Sequence, residues 1–124
     1  MGFLLRRSVA VSAVVVFAVC SVQVDGAQWR SLFDGETLGG WHVRGGVAKY
    51  HVEEDAIVGT TVEGSPNTFL CTENDYGDFV LEFEVKCDAA LNSGVQIRSH
   101  ATSEGHVSGW QVEIAGGVSG GIWD

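Results

Sequence analysis

The stretch that decides the fold is DFVLEFEVKCDAALNSGVQIRSH, residues 78–100. Its first half places apolar residues at every second position from Phe79 to Val85, and its second half alternates Val95 and Ile97 with polar residues. A period of two is that of a β-strand with one buried face. The segment between the two halves is a predicted loop. The stretch therefore predicts two successive strands, each of which covers a core with one face only.

Further strands are predicted on both sides, separated by short turn signals. The segment KYHVEEDAIVGT (49–60) predicts a hairpin that turns around Glu54 and Asp55, and NTFLCTE (67–73) predicts a short strand. WQVEIAGG (110–117) predicts another strand. Seventeen glycines and one proline suit tight turns, and no helical period follows the N-terminal segment. The pattern predicts an all-β fold, an antiparallel sandwich.

Three of these strands are predicted to share one polar patch. Sequential strands usually pair, so the strands of residues 79–86, 95–100 and 110–114 are expected to be neighbours. The patch would then consist of Glu82, Glu84, Lys86, Gln96, Arg98, His100, Gln111 and Glu113. Carboxylates accept hydrogen bonds from hydroxyl groups, whereas guanidinium and amide groups donate, so such a patch suits a sugar. The alternative is a solvated outer face whose ion pairs contribute about 0.2–1 kcal/mol each.

The first 27 residues predict a secretory signal peptide. Arg6 and Arg7 precede the apolar run VAVSAVVVFAVC (9–20), which is too short to span a bilayer. A membrane anchor is the alternative. Cleavage after Ala27 leaves 97 residues with a net charge of −10, against −9 for the whole chain. We therefore expect an exported protein, periplasmic or secreted, and its acidity argues against nucleic acid and against stable membrane insertion after cleavage.

The cysteines and tryptophans raise the questions of disulfide pairing and of burial in the core. After cleavage Cys71 and Cys87 remain, both within strand-like segments. Export permits a disulfide, but pairing depends on strand register, so the paired and the free state both stay open. Two cysteines and four scattered histidines do not form a zinc pattern. Trp110 alternates with Ile114 and is predicted to lie in the core, as is Trp41.

Five segments resemble a known domain family in their order and approximate spacing. They are LFDGETLGGW (32–41), FLCTENDYGDFVLEFEVK (69–86), NSGVQIRSH (92–100), GWQVEI (109–114) and GGIWD (120–124). The family is that of the 3-keto-disaccharide hydrolase domain, found in exported bacterial proteins. The resemblance implies a concanavalin-like β-sandwich, or jelly roll, over residues 28–124. Family domains are considerably longer, so we expect the chain to hold the N-terminal part of such a domain.

The resemblance also implies a reaction, on glycosides that carry a ketone at C3 of a sugar ring. The ketone acidifies the C2 proton, a base removes it, the C1 substituent leaves by β-elimination, and water adds. Such a site needs a base and a group that stabilises the enolate oxygen. By the resemblance, Glu113 is expected to act as the acid/base and Arg98 as the electrostatic stabiliser.

The remaining expectations concern the substrate, the ion and the competing functions. The expected partner is a carbohydrate substrate, with contacts from Asn92, Gln96, Gln111 and Asp124. A divalent cation stays an open possibility, for which Glu113 and Asp124 could supply oxygen ligands. One alternative is a noncatalytic carbohydrate-binding module, because such sandwiches often bind glycans without cleaving them. Another is a structural or adhesion domain. An aromatic platform on the polar face would favour the binding module.

Overall fold

A computed structural model of the chain describes residues 2–5, 14–24, 29–88, 90–115 and 120–123. Within these residues the secondary structure is entirely antiparallel strand, without a helix. The strands are β1 (Gly2–Leu5), β2 (Val14–Val24), β3 (Arg30–Ser31), β4 (Trp41–Gly45), β5 (Lys49–Glu53), β6 (Ala56–Thr60), β7 (Thr68–Thr72), β8 (Phe79–Lys86), β9 (Asn92–Ala101), β10 (Val107–Ala115) and β11 (Ile122–Trp123).

The strands form two sheets. One has six strands in the order β11-β10-β9-β1-β7-β4, and the other has the order β3-β2-β6-β5, with β8 paired to β2. The predicted all-β antiparallel sandwich is confirmed. Because β9 and β10 are joined by a short connection and pair over most of their length, the two segments that carry the polar residues lie side by side.

The core lies between the sheets and takes side chains from both. Leu70, in β7, is completely buried, and Ile57 contributes from β6 of the other sheet. The buried members of this cluster are Phe33, Trp41, Ala48, Ile57, Leu70, Leu91, Val95 and Ile114. Leu81 and Phe83 of β8 pack against it from the second sheet. In β8 the partly buried residues alternate with exposed ones, as the period of two predicts.

The β5–β6 hairpin turns where the sequence predicts. Glu53 pairs with Ala56, so the loop consists of Glu54 and Asp55. Both have positive φ angles, 48° and 59°. Two successive residues in this region form the type I′ turn, whose twist matches that of the flanking strands.

The predicted adjacency of β8 and β9 is wrong. β8 pairs with β2 in the second sheet, and the chain crosses to the six-stranded sheet through the turn in which Leu91 N donates to Asp88 O. Both strands present one apolar face to the same core from opposite sides, and alternation cannot distinguish this from adjacency in one sheet. The exposed side chains Glu82, Glu84 and Lys86 are consequently separated from the polar face of β9 and β10.

Two strands fall within the segment predicted as a signal peptide. β1 pairs with β7 and β9, and β2 pairs with β3, β6 and β8. This pairing bears neither on cleavage nor on export, which stay predictions. No helix in the part of the chain that the structure describes has the length and hydropathy to cross a membrane.

One of the two tryptophan predictions is confirmed and the other is wrong. Trp41 is buried, as predicted, and its indole Nε1 donates to the carbonyl of Leu32 over 2.8 Å. The prediction for Trp110 is wrong, because this side chain is 50% exposed. Trp110 pairs with Ile97 beside an irregularity in the β9–β10 ladder. Alternation predicts on which face of the sheet a residue lies. It does not predict whether the other sheet covers that residue.

Both cysteines outside the predicted signal peptide are free thiols. Cys71 clusters with Phe69 and Val107, whereas Cys87 packs against the main core. The two side chains thus belong to different apolar clusters, which is why the strand register does not bring them together.

Candidate functional site

The face of β9 and β10 that points away from the core carries a continuous chain of hydrogen-bonded side chains. Gln96 is paired with Gln111 in the strand register, so their side chains lie on one face. Gln111 Nε2 donates to Glu113 Oε2 over 2.7 Å, and Gln96 Nε2 donates to Gln111 Oε1 over 3.3 Å. Ser99 Oγ donates to Gln96 Oε1 over 3.0 Å. We call these residues, Ser99, Gln96, Gln111 and Glu113, the Glu113 network.

The Glu113 network is buried at its centre. Gln96, Gln111 and Glu113 expose 6%, 2% and 7% of their surfaces. Burying a carboxylate is costly unless it is hydrogen-bonded, and the Gln111 amide supplies such a bond. A solvated outer face, the alternative left open by the sequence, therefore does not describe these three residues.

Gly94 makes room for this arrangement. It pairs with Glu113, and a Cβ atom at Gly94 would lie 2.6–2.7 Å from the Cγ, Cδ and Nε2 atoms of Gln111. The Gln111 side chain thus passes directly over Gly94 on its way to Glu113. Any larger residue at this position has to displace the amide, because contacts this short are not tolerated in a packed protein. This role of Gly94 was not predicted from the sequence, although an isolated glycine within a strand pattern signals close approach.

A bulge in β9 changes the alternation that the sequence predicts. Ile97 pairs with Trp110 and His100 pairs with Ser108, so two residues of β9 lie opposite a single residue of β10. Such an insertion reverses the side on which the following residues point. Ser99, rather than Arg98, therefore joins the face of the Glu113 network.

Arg98 is directed elsewhere. It has a φ of 50°, its side chain is 59% exposed, and its Nη2 donates to Asp78 Oδ1 over 2.8 Å. It lies four positions along β9 from Gly94, the partner of Glu113, which corresponds to about 13 Å of strand. The prediction that Arg98 lies on the same face as Glu113 is wrong, because the bulge cannot be recognised from alternation.

Asn92 lies on the polar face, beside Glu113. It pairs with Ala115, two residues along β10 from Glu113. Its Oδ1 atom is buried and has no hydrogen-bond partner among the described residues. Leaving such an oxygen unsatisfied costs about 1–3 kcal/mol. The expected contact of Asn92 with the substrate stays a prediction.

A cavity of ≈ 170 Å³ adjoins the other end of the Glu113 network, at Ser99. Arg44 Nε donates to His42 Nε2 over 2.7 Å, which fixes the guanidinium at the wall of the cavity. The connection between β9 and β10 packs against the end of β4, since a Cβ at Gly105 would lie 2.9 Å from Gly45 N. We call it the Arg44 cavity; its lining is His42, Arg44, Cys71, Thr72, Glu73, Asp75, Ser99, Ala101 and Val107.

A larger cavity, of ≈ 230 Å³, lies beside residues 30–34. Its carboxylate, Asp34, accepts hydrogen bonds from the Thr37 hydroxyl and from the backbone N–H groups of Thr37 and Glu36. These bonds lower the pKa of Asp34 to about 2. The Asp34 carboxylate is thereby used to form a turn.

The described residues do not by themselves indicate a metal site. Among them, no three side chains of His, Cys, Asp or Glu come together as metal ligands. Asp124, expected as a substrate contact and as an oxygen ligand, lies outside the residues that the structure describes. Its role stays a prediction.

Comparison with known proteins identifies a matching family model. A family model, described as that of a 3-keto-alpha-glucoside-1,2-lyase-like domain, matches residues 28–124. Neither a curated protein nor a solved structure matches the chain. The matched residues include the whole Glu113 network and the Arg44 cavity.

Proposed function

We propose a function from one premise: the chain belongs to the family of 3-keto-alpha-glucoside-1,2-lyase-like domains, also named for 3-keto-disaccharide hydrolysis. The family supports action on 3-keto-glycosides in general. The proposal is that this protein, exported by means of its signal peptide, cleaves such glycosides by deprotonation at C2 and elimination at C1.

Glu113 is the proposed base. Its carboxylate takes the C2 proton, and the electron pair of the C2–H bond forms the enolate of the C3 ketone. When the enolate collapses to the ketone, a C1–C2 double bond forms and the C1–O bond breaks. The leaving oxygen takes the proton that Glu113 removed, which restores the carboxylate, and water then adds, its hydroxyl to C1 and a proton to C2. General acid–base catalysis of this kind contributes about 10²–10⁴-fold to the rate.

The neighbours of Glu113 supply orientation and hydrogen bonds. Gln111 holds the carboxylate, and Asn92 Oδ1 is a buried acceptor for a sugar hydroxyl. Each amide nitrogen carries two N–H groups, of which Gln111 uses one on Glu113 and Gln96 uses one on Gln111. The second N–H groups of Gln96 and Gln111 are the proposed donors to the enolate oxygen, in place of the remote Arg98.

The observation that carries the proposal is the buried, amide-held carboxylate of Glu113. Its test is the variant Glu113→Gln, which keeps the shape of the side chain and removes the base. We expect turnover of a 3-keto-glycoside to fall about 10²–10⁴-fold. Glu82→Gln, on the exposed face of β8, is the matched control and is expected to retain activity. Unchanged turnover in Glu113→Gln would remove this residue from the mechanism.

One observation favours the second candidate, a noncatalytic carbohydrate-binding module. Trp110 is 50% exposed, and an exposed indole is a surface on which sugar rings stack. The candidate predicts that the protein binds a glycan without cleaving it and that Trp110→Ala abolishes binding. Calorimetric titration with the intact glycan, combined with product analysis, separates the two functions.

Export has its own test. Expression of the full chain in a bacterium, followed by N-terminal sequencing of the exported product, is expected to show cleavage after Ala27. Retention of the complete N-terminus in the membrane fraction would favour the anchor.

A further inference from the structure

We propose that Ser99 is a positioning residue, whose hydroxyl group acts on Glu113 through two intervening glutamine side chains. The inference rests on the proposed function, in which Glu113 is the base. Hydrogen bonds of 3.0, 3.3 and 2.7 Å link the Ser99 hydroxyl, the two amides and the carboxylate in series. The orientation of the groups at one end of this series is therefore linked to that at the other end.

Every hydrogen bond in the series points toward Glu113. A side-chain amide accepts through its oxygen and donates through its nitrogen, so its two sides are not equivalent. Gln96 accepts at Oε1 and donates from Nε2 to Gln111, and Gln111 does the same toward Glu113. Rotation of either amide alone by 180° would bring two oxygen atoms into contact. The two amides can consequently reverse only together.

Ser99 directs the series from the end that lies away from the carboxylate. A hydroxyl group carries one proton, and Ser99 Oγ lies 3.0 Å from two acceptors, Gln96 Oε1 and the backbone carbonyl of Ile97. With the proton on Gln96, the series presents an N–H group to the carboxylate of Glu113. With the proton on Ile97, Ser99 Oγ becomes an acceptor, and the reversed series would present an amide oxygen, which a carboxylate repels. The direction of one hydroxyl proton is thus coupled to the group that Glu113 meets.

The bulge in β9 and a glycine in β10 bring the hydroxyl group to this place. Gly109 is the residue of β10 that faces the bulge. Its φ is 147°, and a Cβ atom there would lie 2.7 Å from Ser99 Cα and 2.9 Å from Ser99 Cβ. A side chain at position 109 would therefore push Ser99 aside. Bulges near sites re-aim a side chain, and here the re-aimed side chain is that of Ser99.

The orientation of the amides affects the proposed reaction. One N–H group of Gln111 holds Glu113, and the second N–H groups of both glutamines are the proposed donors to the enolate oxygen. Without the Ser99 hydroxyl, the buried Gln96 Oε1 would lose this donor, and the amide would be held less firmly in its orientation. Because charge develops on the enolate oxygen in the transition state, the loss should fall on kcat and not on KM.

The kinetic test is the variant Ser99→Ala in the full chain, with a 3-keto-glycoside as substrate. Because Ser99 is only half-buried, the variant is expected to fold. We expect kcat to fall about tenfold, as for a buried acceptor that loses its donor. KM should change less than about twofold. Ser99→Thr keeps a hydroxyl group and is expected to retain most of kcat. Ser108→Ala, which removes an exposed hydroxyl from β10 beside Gly109, is the matched control and should change neither constant.

Nuclear magnetic resonance gives a second readout that needs no substrate. The side-chain N–H signals of Gln96 and Gln111 report the hydrogen bonds of the two amides. We expect Ser99→Ala to shift the signals of both, because hydrogen bonds in series polarise one another, whereas Ser108→Ala should shift neither. If Ser99 had only a local role, the Gln96 signals would shift and the Gln111 signals would stay as in the wild type.

The outcomes separate the positioning role from the proposed function. A fall in kcat together with shifted Gln111 signals supports the role of Ser99. Unchanged kcat in Ser99→Ala overturns it, and so does a fall in kcat with unchanged Gln111 signals, since Ser99 would then act by another route. If the wild-type protein cleaves no 3-keto-glycoside, the proposed function fails and the spectra alone decide: shifted Gln111 signals support the positioning, and unchanged ones reject it.

Discussion

The amide of Gln111 donates to the carboxylate of Glu113 over 2.7 Å, and both side chains are more than nine-tenths buried. The hydrogen bond from Gln111 takes the place of hydration for this buried carboxylate. Its orientation therefore depends on the conformation of Gln111, and that conformation depends on the absence of a side chain at Gly94. This dependence gives the first prediction.

Gly94→Ala is expected to impair both folding and activity. The added methyl group would lie 2.6–2.7 Å from three atoms of Gln111, so the amide has to move away from Glu113. Overpacking of this kind costs about 1–3 kcal/mol in the free energy of unfolding. Urea denaturation measures the stability loss, and turnover of a 3-keto-glycoside measures the effect on the site.

Gly77→Ala is the matched control, because a Cβ there meets no atom within 4 Å. Its free energy of unfolding should stay within about 0.5 kcal/mol of the wild type. If Gly94→Ala were as stable and as active as Gly77→Ala, the dependence of Glu113 on Gly94 would be disproved.

Arg98→Gln is expected to have little effect. The guanidinium is exposed and paired with an Asp78 carboxylate that is itself 90% exposed, and such surface pairs contribute about 0–1 kcal/mol. We expect kcat/KM for a 3-keto-glycoside to change less than about twofold, and Asp78→Asn to behave in the same way. A large fall in kcat for Arg98→Gln alone would show that this side chain reaches the reacting ring.

The β5–β6 turn can be stabilised. Glu54 and Asp55 both adopt positive φ angles, which glycine and asparagine tolerate better than glutamate does. Replacing the pair by Asn-Gly should raise the free energy of unfolding by about 0.5–1 kcal/mol. Thermal unfolding of the double variant gives the measurement. Glu63→Asn, at an exposed loop position, is the control and should leave the midpoint unchanged.

Asp34 is expected to make stability depend on acid pH. Hydrogen bonds from Thr37 and Glu36 hold the pKa of Asp34 at about 2, below its ordinary value of 3.8. A carboxyl group with a lowered pKa in the folded state stabilises the fold above its unfolded pKa, and this contribution is lost as the pH falls through the folded pKa. The difference in stability between the wild type and Asp34→Asn should therefore shrink between about pH 5 and pH 2. A difference that stays constant over this range would contradict the assignment.

Much of the fold could be predicted from local patterns, whereas the order of the strands in the sheets could not. The period of two identified β8, β9 and β10, a short strand was predicted where β7 lies, and the polar turn residues identified the β5–β6 hairpin. Alternation does not report which sheet a strand joins. β8 was therefore placed beside β9, although it lies in the other sheet.

For the candidate site, alternation succeeded up to the bulge and failed beyond it. Gln96, Gln111 and Glu113 come together as predicted, because the β9–β10 pairing is regular between these residues. One inserted residue then exchanges Arg98 for Ser99 on the polar face. His42 and Arg44 were missed because β4 is distant in sequence and reaches the site only through the order of strands in the sheet.

Cleavage in D₂O shows whether Glu113 removes a proton from C2 before the glycosidic bond breaks. The elimination and the addition of water would leave one solvent deuterium at C2 of the released 3-keto-sugar, above the level of uncatalysed exchange. We expect this label in the wild-type product and its loss, together with turnover, in Glu113→Gln. A product that is released at the wild-type rate without deuterium at C2 would show that cleavage does not proceed by deprotonation at C2.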